Sequence, residues 1–518
     1  MENNMLPKHE ILDCTLRDGG YYTNWDFTQD LVCRYFAAVN SIPEITYVEI
    51  GYRSLPMKEY LGEYFYCPAH VMQLAREKCP DKKIAIMLNE KSTRLEDLNT
   101  LLYPCEGYID MIRLAVDPVN IERASRLARE IISRGFEVGL NVMYMSKWIV
   151  DDAFLAKLRD VDTNYLTLVD SYGSVYPQEV KDAFNKVKST TNIPLGFHGH
   201  NNLELALANS LAALDNGCNI VDVTITGMGR GAGNLKTELL LTCLDSKENN
   251  SFNYNGLTSI ISEFEKLQKV YEWGTSLPYM ISGPFSLPQK DVMSWISKKR
   301  YTPKSIINAL QNHKDQQPDN QNVPILNLES IADTVVIVGG GANSKRHAHA
   351  LKIFCKKNPS TVLIHAGSRH ISDFSDLGNN KQFVCLLGSE GYKMKDSLQS
   401  QKIANHIFII EPSPRLMGTI IPIEIENQTY ELKEITLFND YPDSLLTIAF
   451  QLAALMAAKT VYLFGLDGYD TGTGNHMLEV EQENQFLLDA FQKTEKILTS
   501  LTPTRYQNVH EISIYSLI

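Results

Sequence analysis

Leu195-Gly196-Phe197-His198-Gly199-His200-Asn201-Asn202 carries a short apolar run straight into a polar loop, and an amphipathic stretch over 203–216 follows, closed by Gly217. This reads as strand, loop, helix, with Asn201 or Asn202 as the helix cap and Gly217 as its stop. The same unit recurs through the first half of the chain. β-prone runs stand at 11–16, 45–50, 84–88, 111–116, 138–142, 166–169, 195–198 and 220–225. The stretches between them, such as 121–133, are long enough for the crossover helices that parallel strands need. Eight evenly spaced units predict a closed TIM-type (β/α)8 barrel over a doubly wound sheet, its main competitor.

Composition bounds the rest. A chain of 518 residues with 44% hydrophobic content exceeds what one core organises, so two domains, or three, are expected. A net charge of −12 disfavours nucleic acid or an anionic membrane as the main partner. The nine cysteines are scattered, with no CxxC pair, and predict free thiols in a reducing, cytoplasmic setting. No basic-then-apolar leader opens the chain, and the one long apolar stretch, 445–466, is interrupted by Gln451, Lys459 and Gly465. It reads as a buried helix followed by a strand, not a membrane span. A homodimer is the default for an enzyme of this size.

The residues leaving the predicted strands are polar: Thr15, Arg17 and Asp18, then Glu49, Asn89, Arg113, Asn141, Asp170, His198, His200 and Thr226. Singly, each is as well explained as a solvated loop residue; together they form one reactive face at the strand C-termini. Asp18, His198 and His200 offer one oxygen and two nitrogens to a divalent ion, with positions left for water and substrate. Manganese or magnesium is expected first, with zinc, iron or cobalt as alternatives. The loop from Gly227 to Asn234 holds four glycines and lets the backbone come close to a bound group, so that the Asn234 carbonyl oxygen reaches the ion. A mobile loop, or a phosphate on its amides, is the plainer alternative. Arg17 suits a carboxylate or enolate oxygen, or else an ion pair with Glu49.

At these residues the chain resembles the metal-dependent superfamily of 4-hydroxy-2-oxovalerate aldolase, hydroxymethylglutaryl-CoA lyase, isopropylmalate synthase and homocitrate synthase. Asp13-Cys14-Thr15-Leu16-Arg17-Asp18-Gly19-Gly20 is similar to its first-strand signature, and Gly196–Asn202 with Gly227–Asn234 to its metal motif and strand-eight loop. The resemblance implies Asp18, His198 and His200 as ligands and Asn234 as a further ligand or a partner of one. Arg17 then stabilises an enolate, and Glu49 orients Arg17 or a metal-bound water. Asp170 and Ser171 contact the keto-acid end of the substrate, with Arg113 beside them. The segment 273–283 resembles the helix after the barrel in the aldolase branch, where Tyr279 closes over the site or simply packs. One departure stands out: where the aldolases carry a base histidine, this chain has Gly19-Gly20-Tyr21-Tyr22-Thr23. Tyr21 becomes the candidate to relay a proton or to bind the aldehyde oxygen. The cysteine loop of the CoA lyase and an acyl-CoA site have no match.

The barrel with a helical extension is expected over 1–310, a polar linker over 311–330, and a Rossmann-like open parallel sheet over 331–518. Strands are predicted at 334–338, 361–364, 383–387, 408–410 and 460–466, with a buried helix at 445–458. The turn Gly339-Gly340-Gly341 is neither a full GxGxxG nor a Walker loop, so NAD and ATP are not indicated. Asn343, Ser344, His365, Ser368, Arg369 and Asp467 gather at the strand ends. The segments 338–344 and 462–468 loosely resemble nucleotide-sugar-handling domains, which implies a nucleotide sugar as partner.

The leading expectation is an aldolase joining a pyruvate-type 2-oxo acid to an aldehyde, on a sugar or nucleotide sugar. A Claisen-type acyltransferase and a non-catalytic metal- and carbohydrate-binding protein are the alternatives.

Overall fold

The computed structural model describes residues 9–58, 60–248, 254–287, 289–315, 322–328, 332–394, 406–415, 417–469, 475–494 and 498–518. The chain forms two compact units, Met1–Met293 and Ser294–Ile518.

The first unit is the predicted barrel. Strands β1 (Glu10–Asp13), β2 (Ile45–Tyr52), β3 (Lys83–Asn89), β4 (Met111–Val116), β5 (Glu137–Val142), β6 (Tyr165–Asp170), β7 (Leu195–Gly199) and β8 (Ile220–Val223) close in sequence order. Parallel pairing of β1 with β8, from Glu10 opposite Ile220 to Asp13 opposite Val223, completes the ring. The helix Ile121–Ser133 shows why the outer layer forms. Ile121, Ala124, Leu127, Ala128 and Ile131 recur at three- and four-residue spacing and are all buried, as one stripe facing the strands. Fully burying the larger of these side chains is worth about 1.5–3 kcal/mol each. The helix after β7 is Ala206–Asp215, with Asn201 Oδ1 accepting from Ala206 N at 3.2 Å and Gly217 following at φ 82°.

Inside the ring, the period of two along each strand builds layers. Leu12, Cys14, Tyr47, Ala85, Met111 and Ile220 form a small apolar cluster. Two residues further along β2, β4 and β8 stand Glu49, Arg113 and Asp222, all buried. An apolar layer thus separates the ionic layer toward the C-terminal mouth from a second polar layer at the other end, where Lys83 pairs with Glu137 and Tyr165 bonds to Glu10.

β1 is shorter than expected. It ends at Asp13, and Thr15–Thr23 is a helix, so Thr15, Arg17 and Asp18 sit on helical turns and not at a strand end. Asp13 is the cause: its carboxylate accepts from Thr15 N at 3.0 Å and Thr15 Oγ1 at 2.6 Å, drawing the backbone out of the extended form. The same carboxylate accepts from Tyr35 and Thr237 hydroxyls, each at 2.6 Å, which fastens this turn to two other elements. β8 likewise stops at Val223, and Ile225–Gly227 is a short turn with Thr226 at φ 52°.

The second unit is an open, all-parallel sheet in the order β13-β12-β11-β10-β9-β14-β15-β16. Its strands are β9 (Thr334–Val338), β10 (Val362–His365), β11 (Gln382–Cys385), β12 (His406–Ile410), β13 (Thr429–Glu431), β14 (Thr460–Phe464), β15 (Leu498–Ser500) and β16 (His510–Glu511). Val335 and Ile337 pack in one core with the helix Leu445–Leu455, while Val336 and Val338 pack in another with Leu351 and Phe354. Both faces are therefore covered, as a parallel sheet requires. The helix Pro303–Asp315 runs into the start of the expected linker, whose residues 316–321 and 329–330 lie outside the described residues. Among the described residues no helix is long and apolar enough to cross a membrane, and all nine cysteines are free.

Candidate metal centre at the barrel mouth

The two ends of the chain segment that forms the barrel meet over its mouth. Asp18 comes from the helix after β1, His198 from β7, His200 just beyond it, and Asn234 from the glycine loop through an isolated bridge with His200. His198 Nε2 stands 3.4 Å from Asp18 Oδ2, and the His198 and His200 rings meet edge-to-face at 4.9 Å between centroids. Asn234 Nδ2 donates to Asp18 Oδ2 at 2.5 Å. All four residues are buried, none above 6% exposed.

Outer partners fix which imidazole nitrogen is available. His198 Nδ1 lies 2.8 Å from an Asp222 oxygen, and His200 Nδ1 lies 2.7 Å from the Asp170 carbonyl oxygen. An acceptor at each Nδ1 holds the proton there and leaves Nε2 as a lone-pair donor. Burial pulls His200 down to about 3, aided by the neighbouring His198, so its ring is neutral and able to ligate. Burial opposes charge on Asp18, but Arg17 and His198 more than offset it and keep the carboxyl well below its usual range.

Three tests bear on whether these residues fit a divalent metal. Donor atoms of Cys14, Asp18 and His198 lie within 4.8 Å of one another. Asn234 Oδ1 is buried with no hydrogen-bond partner, an acceptor that a cation would satisfy. Formal charge gives the third. The guanidiniums of Arg17 and Arg113 are ion-paired among the carboxylates of Asp18, Glu49 and Asp222, two positive against three negative. Within that ion-paired group the excess of one negative charge suits a cation, whether a proton on His198 or a metal, while the Arg230 guanidinium also acts on His200. Cys14, Asp18 and His198 therefore form a cluster with the capability to hold a divalent metal, and His200 falls outside that spacing among the described residues. Cys14, which the sequence did not single out, is the least suited of the cluster. Burial pushes its thiol well up, and Sγ donates to Val223 O at 3.5 Å.

The remaining sequence candidates fall into distinct places. Arg17 uses Nε on Glu49 at 2.8 Å and Nη1 on Asp18, so it forms the ion pair with Glu49 and stands beside the candidate metal residues; Nη2 makes no hydrogen bond among the described residues. Glu49 accepts from Arg17 and, at 3.2 Å, from Arg113 with one oxygen, while Oε1 is buried without a partner. Arg113 is surrounded: Asn141 at 3.0 Å, Glu49 at 3.2 Å and Asp222 at 2.7 Å take its three nitrogens. The Asp170 carboxylate accepts from Ser174 N and Val175 N, with burial raising it to about 6, and the Ser171 hydroxyl accepts from Tyr144 N. Tyr21 Oη meets Tyr52 Oη at 3.1 Å, and the Arg230 guanidinium lies 5.2 Å over its ring. Tyr279 is buried, meets the Tyr22 phenol and faces Gly231 of the glycine loop, where an added Cβ would stand 3.2 Å from its ring.

Asp222, like Cys14, was passed over by the sequence reading. It joins His198 to Arg113 from the inward side of β8, and its signal was a carboxylate in an otherwise apolar strand, Ile220-Val221-Asp222-Val223.

Known proteins share this half of the chain. The HMGL-like family profile matches residues 8–264. The 4-hydroxy-2-oxovalerate aldolase of Geobacillus thermodenitrificans is 30% identical over 245 residues, covering 45% of this chain and 69% of that protein. The chain belongs to the HMGL-like family. This is a family of metal-dependent carbon–carbon lyases of the class II aldolase kind, so the HMGL-like unit is an enzyme of that general chemistry. The oxaloacetate decarboxylase of Mycobacterium tuberculosis is 28% identical over 240 residues, 46% of this chain and 70% of that protein. Among solved structures, the N-terminal domain of a candidate aldolase from Bacteroides vulgatus is 53% identical, with a TM-score of 0.55, covering 58% of this chain and 99% of that one.

Proposed function

We propose that the barrel forms and uses the enolate of a pyruvate-type 2-oxo acid, adding it to or releasing it from an aldehyde. The observation that supports this is the convergence of Asp18, His198, His200 and Asn234 beside an arginine, Arg17, whose Nη2 has no partner among the described residues. Asp18, His198 and His200 would hold the ion, manganese or magnesium by preference, with Asn234 Oδ1 next to it. When bound, the metal polarises the ketone oxygen as a Lewis acid. Arg17 Nη2 donates to the oxygen on which charge develops, and Glu49 holds that guanidinium in place from behind. Arg113 and Asp222 act one layer deeper: Asp222 keeps the His198 ring oriented and Arg113 neutralises Asp222. Asp170 positions His200 through its carbonyl, and Ser171 and Tyr279 border the substrate space. Tyr52, whose phenol burial pushes up, stays protonated; Tyr21 Oη, bonded to it, is the atom at which a proton is exchanged with the substrate.

A sugar or nucleotide-sugar aldehyde is the electrophile we favour, because an open parallel-sheet unit shares the chain. We place the protein in the cytoplasm, as nine free cysteines suit.

A second reading has its own support. The position of the aldolase base is occupied by Tyr21, and decarboxylation of a 2-oxo dicarboxylate yields the same enolate without deprotonating a hydroxyl. The decarboxylase relative fits it. Solvent-deuterium exchange into the pyruvate methyl group, followed with manganese present, tests the shared step. Exchange in wild type and its loss in His198→Ala is the expected result; no exchange by metal-loaded wild type would end both readings. Carbon dioxide release from oxaloacetate against pyruvate release from 4-hydroxy-2-oxo acids then separates the two.

A further inference from the structure

The sheet of the second unit grows outward in two directions from β9 and β14. In such sheets the loops leaving the two central strands run apart and leave a crevice at the strand C-termini. A cavity of about 820 Å³ lies there, lined by the loop after β9, at 339–343, and the loop after β14, at 465–469.

The three glycines after β9 are not equivalent. A Cβ on Gly339 would stand 2.6 Å from Gly465 O, and one on Gly341 would stand 2.4 Å from Asp467 Cγ, so close packing of the two loops accounts for both. Gly340 has no such reason. Its nearest neighbour would be Arg369 Cδ at 3.8 Å, and its φ is outside the left-handed region. It lines the cavity, and the missing side chain leaves its N–H uncovered toward whatever enters.

Charge points the same way. In a chain of net charge −12, six cationic side chains line this cavity, Lys298, Lys299, Arg300, Arg369, Lys393 and Arg505, against one carboxylate, Asp467. Three of the six are already neutralised by carboxylates, Arg300 by Glu483 at 2.7 Å, Lys298 by Asp443 at 3.2 Å and Lys393 by Glu390 at 2.8 Å. Arg369 bonds to Gly340 O at 3.1 Å and pairs with no carboxylate among the described residues. The Asp467 carboxylate is turned to Asn343 N at 2.9 Å. Another part of the wall is apolar, with Leu446, Leu466 and Val480. The space is far larger than an inorganic ion needs and falls within the range that holds a whole organic ligand.

We propose that this cavity binds a small organic diphosphate of nucleotide size, its anionic group at the Gly340 peptide and Arg369 and its organic body against Leu446 and Val480. The Arg369 guanidinium and the Gly340 N–H are the donors offered to such a group, because the N–H groups of Gly339, Gly341 and Asn343 are already taken within the protein. The site belongs to the second unit alone and does not depend on the chemistry of the barrel.

Calorimetry on the full chain, with inorganic pyrophosphate, ADP, CDP, GDP and UDP as probes, tests this. At least one nucleoside diphosphate should bind with a Kd below about 1 mM and more tightly than pyrophosphate. Gly340→Leu, which fills the opening, and Arg369→Ala, which changes an exposed side chain, should each weaken it by about tenfold or more. Pyruvate methyl exchange in both variants should match wild type. The proposal fails if no nucleoside diphosphate binds below about 1 mM, or if binding survives unchanged in both variants. Retained exchange with no diphosphate binding would count against this site alone, and lost exchange in wild type against the barrel reading alone.

Discussion

Arg17 touches Glu49 and Asp18 at once, and that double anchorage separates its contribution from the ion's. Arg17→Ala should keep its metal and lose about 10²- to 10³-fold in turnover, the scale for removing one strong oxyanion donor. Lysine should restore only part, because a point charge cannot hold Glu49 and the substrate oxygen together. Turnover within about threefold of wild type at saturating metal and pyruvate would move the enolate charge to another group. Asp222→Asn tests the layer beneath. Its loss of charge frees the His198 ring and unbalances Arg113, so metal affinity should fall about 10- to 100-fold, measured by titration with manganese. Unchanged affinity would show that β7 alone orients His198. The candidate metal residues and Arg17 were legible as a group at one mouth because each stands in a short motif with a glycine or a second donor beside it. Asp222 was not, because a lone carboxylate inside Ile220–Val223 looks like an edge residue until the barrel closes and turns it inward. Arg113 was legible as a polar strand-end group, but not the three partners that surround it, which come from β2, β5 and β8.

At the scale of elements, the turn from β1 into the helix Thr15–Thr23 carries Arg17 and Asp18, and its tolerance is narrow. A Cβ on Gly20 would stand 2.1 Å from the Trp25 ring, whose Nε1 donates to Arg17 O at 2.9 Å. Gly20→Ala should therefore destabilise the protein by about 1–3 kcal/mol, as overpacked sites do, despite the better helix propensity of alanine. Urea denaturation would show it, and a stabilised variant would mean that Trp25 moves aside freely. Periodicity alone assigned the barrel strands to within a few residues, because each is a short apolar run between polar loops. It overran at β1 because the apolar pattern continues through Leu16, whereas Asp13 ends the strand through side-chain bonds that periodicity does not register. In the second sheet five strands were legible, and β13, β15 and β16 were not. Three residues or fewer hold no alternation to detect.

For the whole molecule, the division at Met293 and Ser294 carries a separable prediction. Residues 1–293 expressed alone should fold and exchange pyruvate methyl protons within about threefold of the full chain. An insoluble or inert fragment would show that the barrel needs the rest of the chain. Manganese at about 100 times its Kd should stabilise the barrel by about 2.7 kcal/mol, with EDTA reversing the gain. In calorimetric scans only one of two transitions should move, and a shift of both together would contradict independent units. The second sheet has a further property that follows from its margins. β16 is two exposed residues, His510 and Glu511; β13 is three, and its last, Glu431, is already bridged to Ile325. Margins this brief, and partly charged, offer a neighbouring chain almost no ladder to extend. Short, partly charged margins on a broad apolar sheet thus disfavour edge-to-edge pairing between copies of this unit.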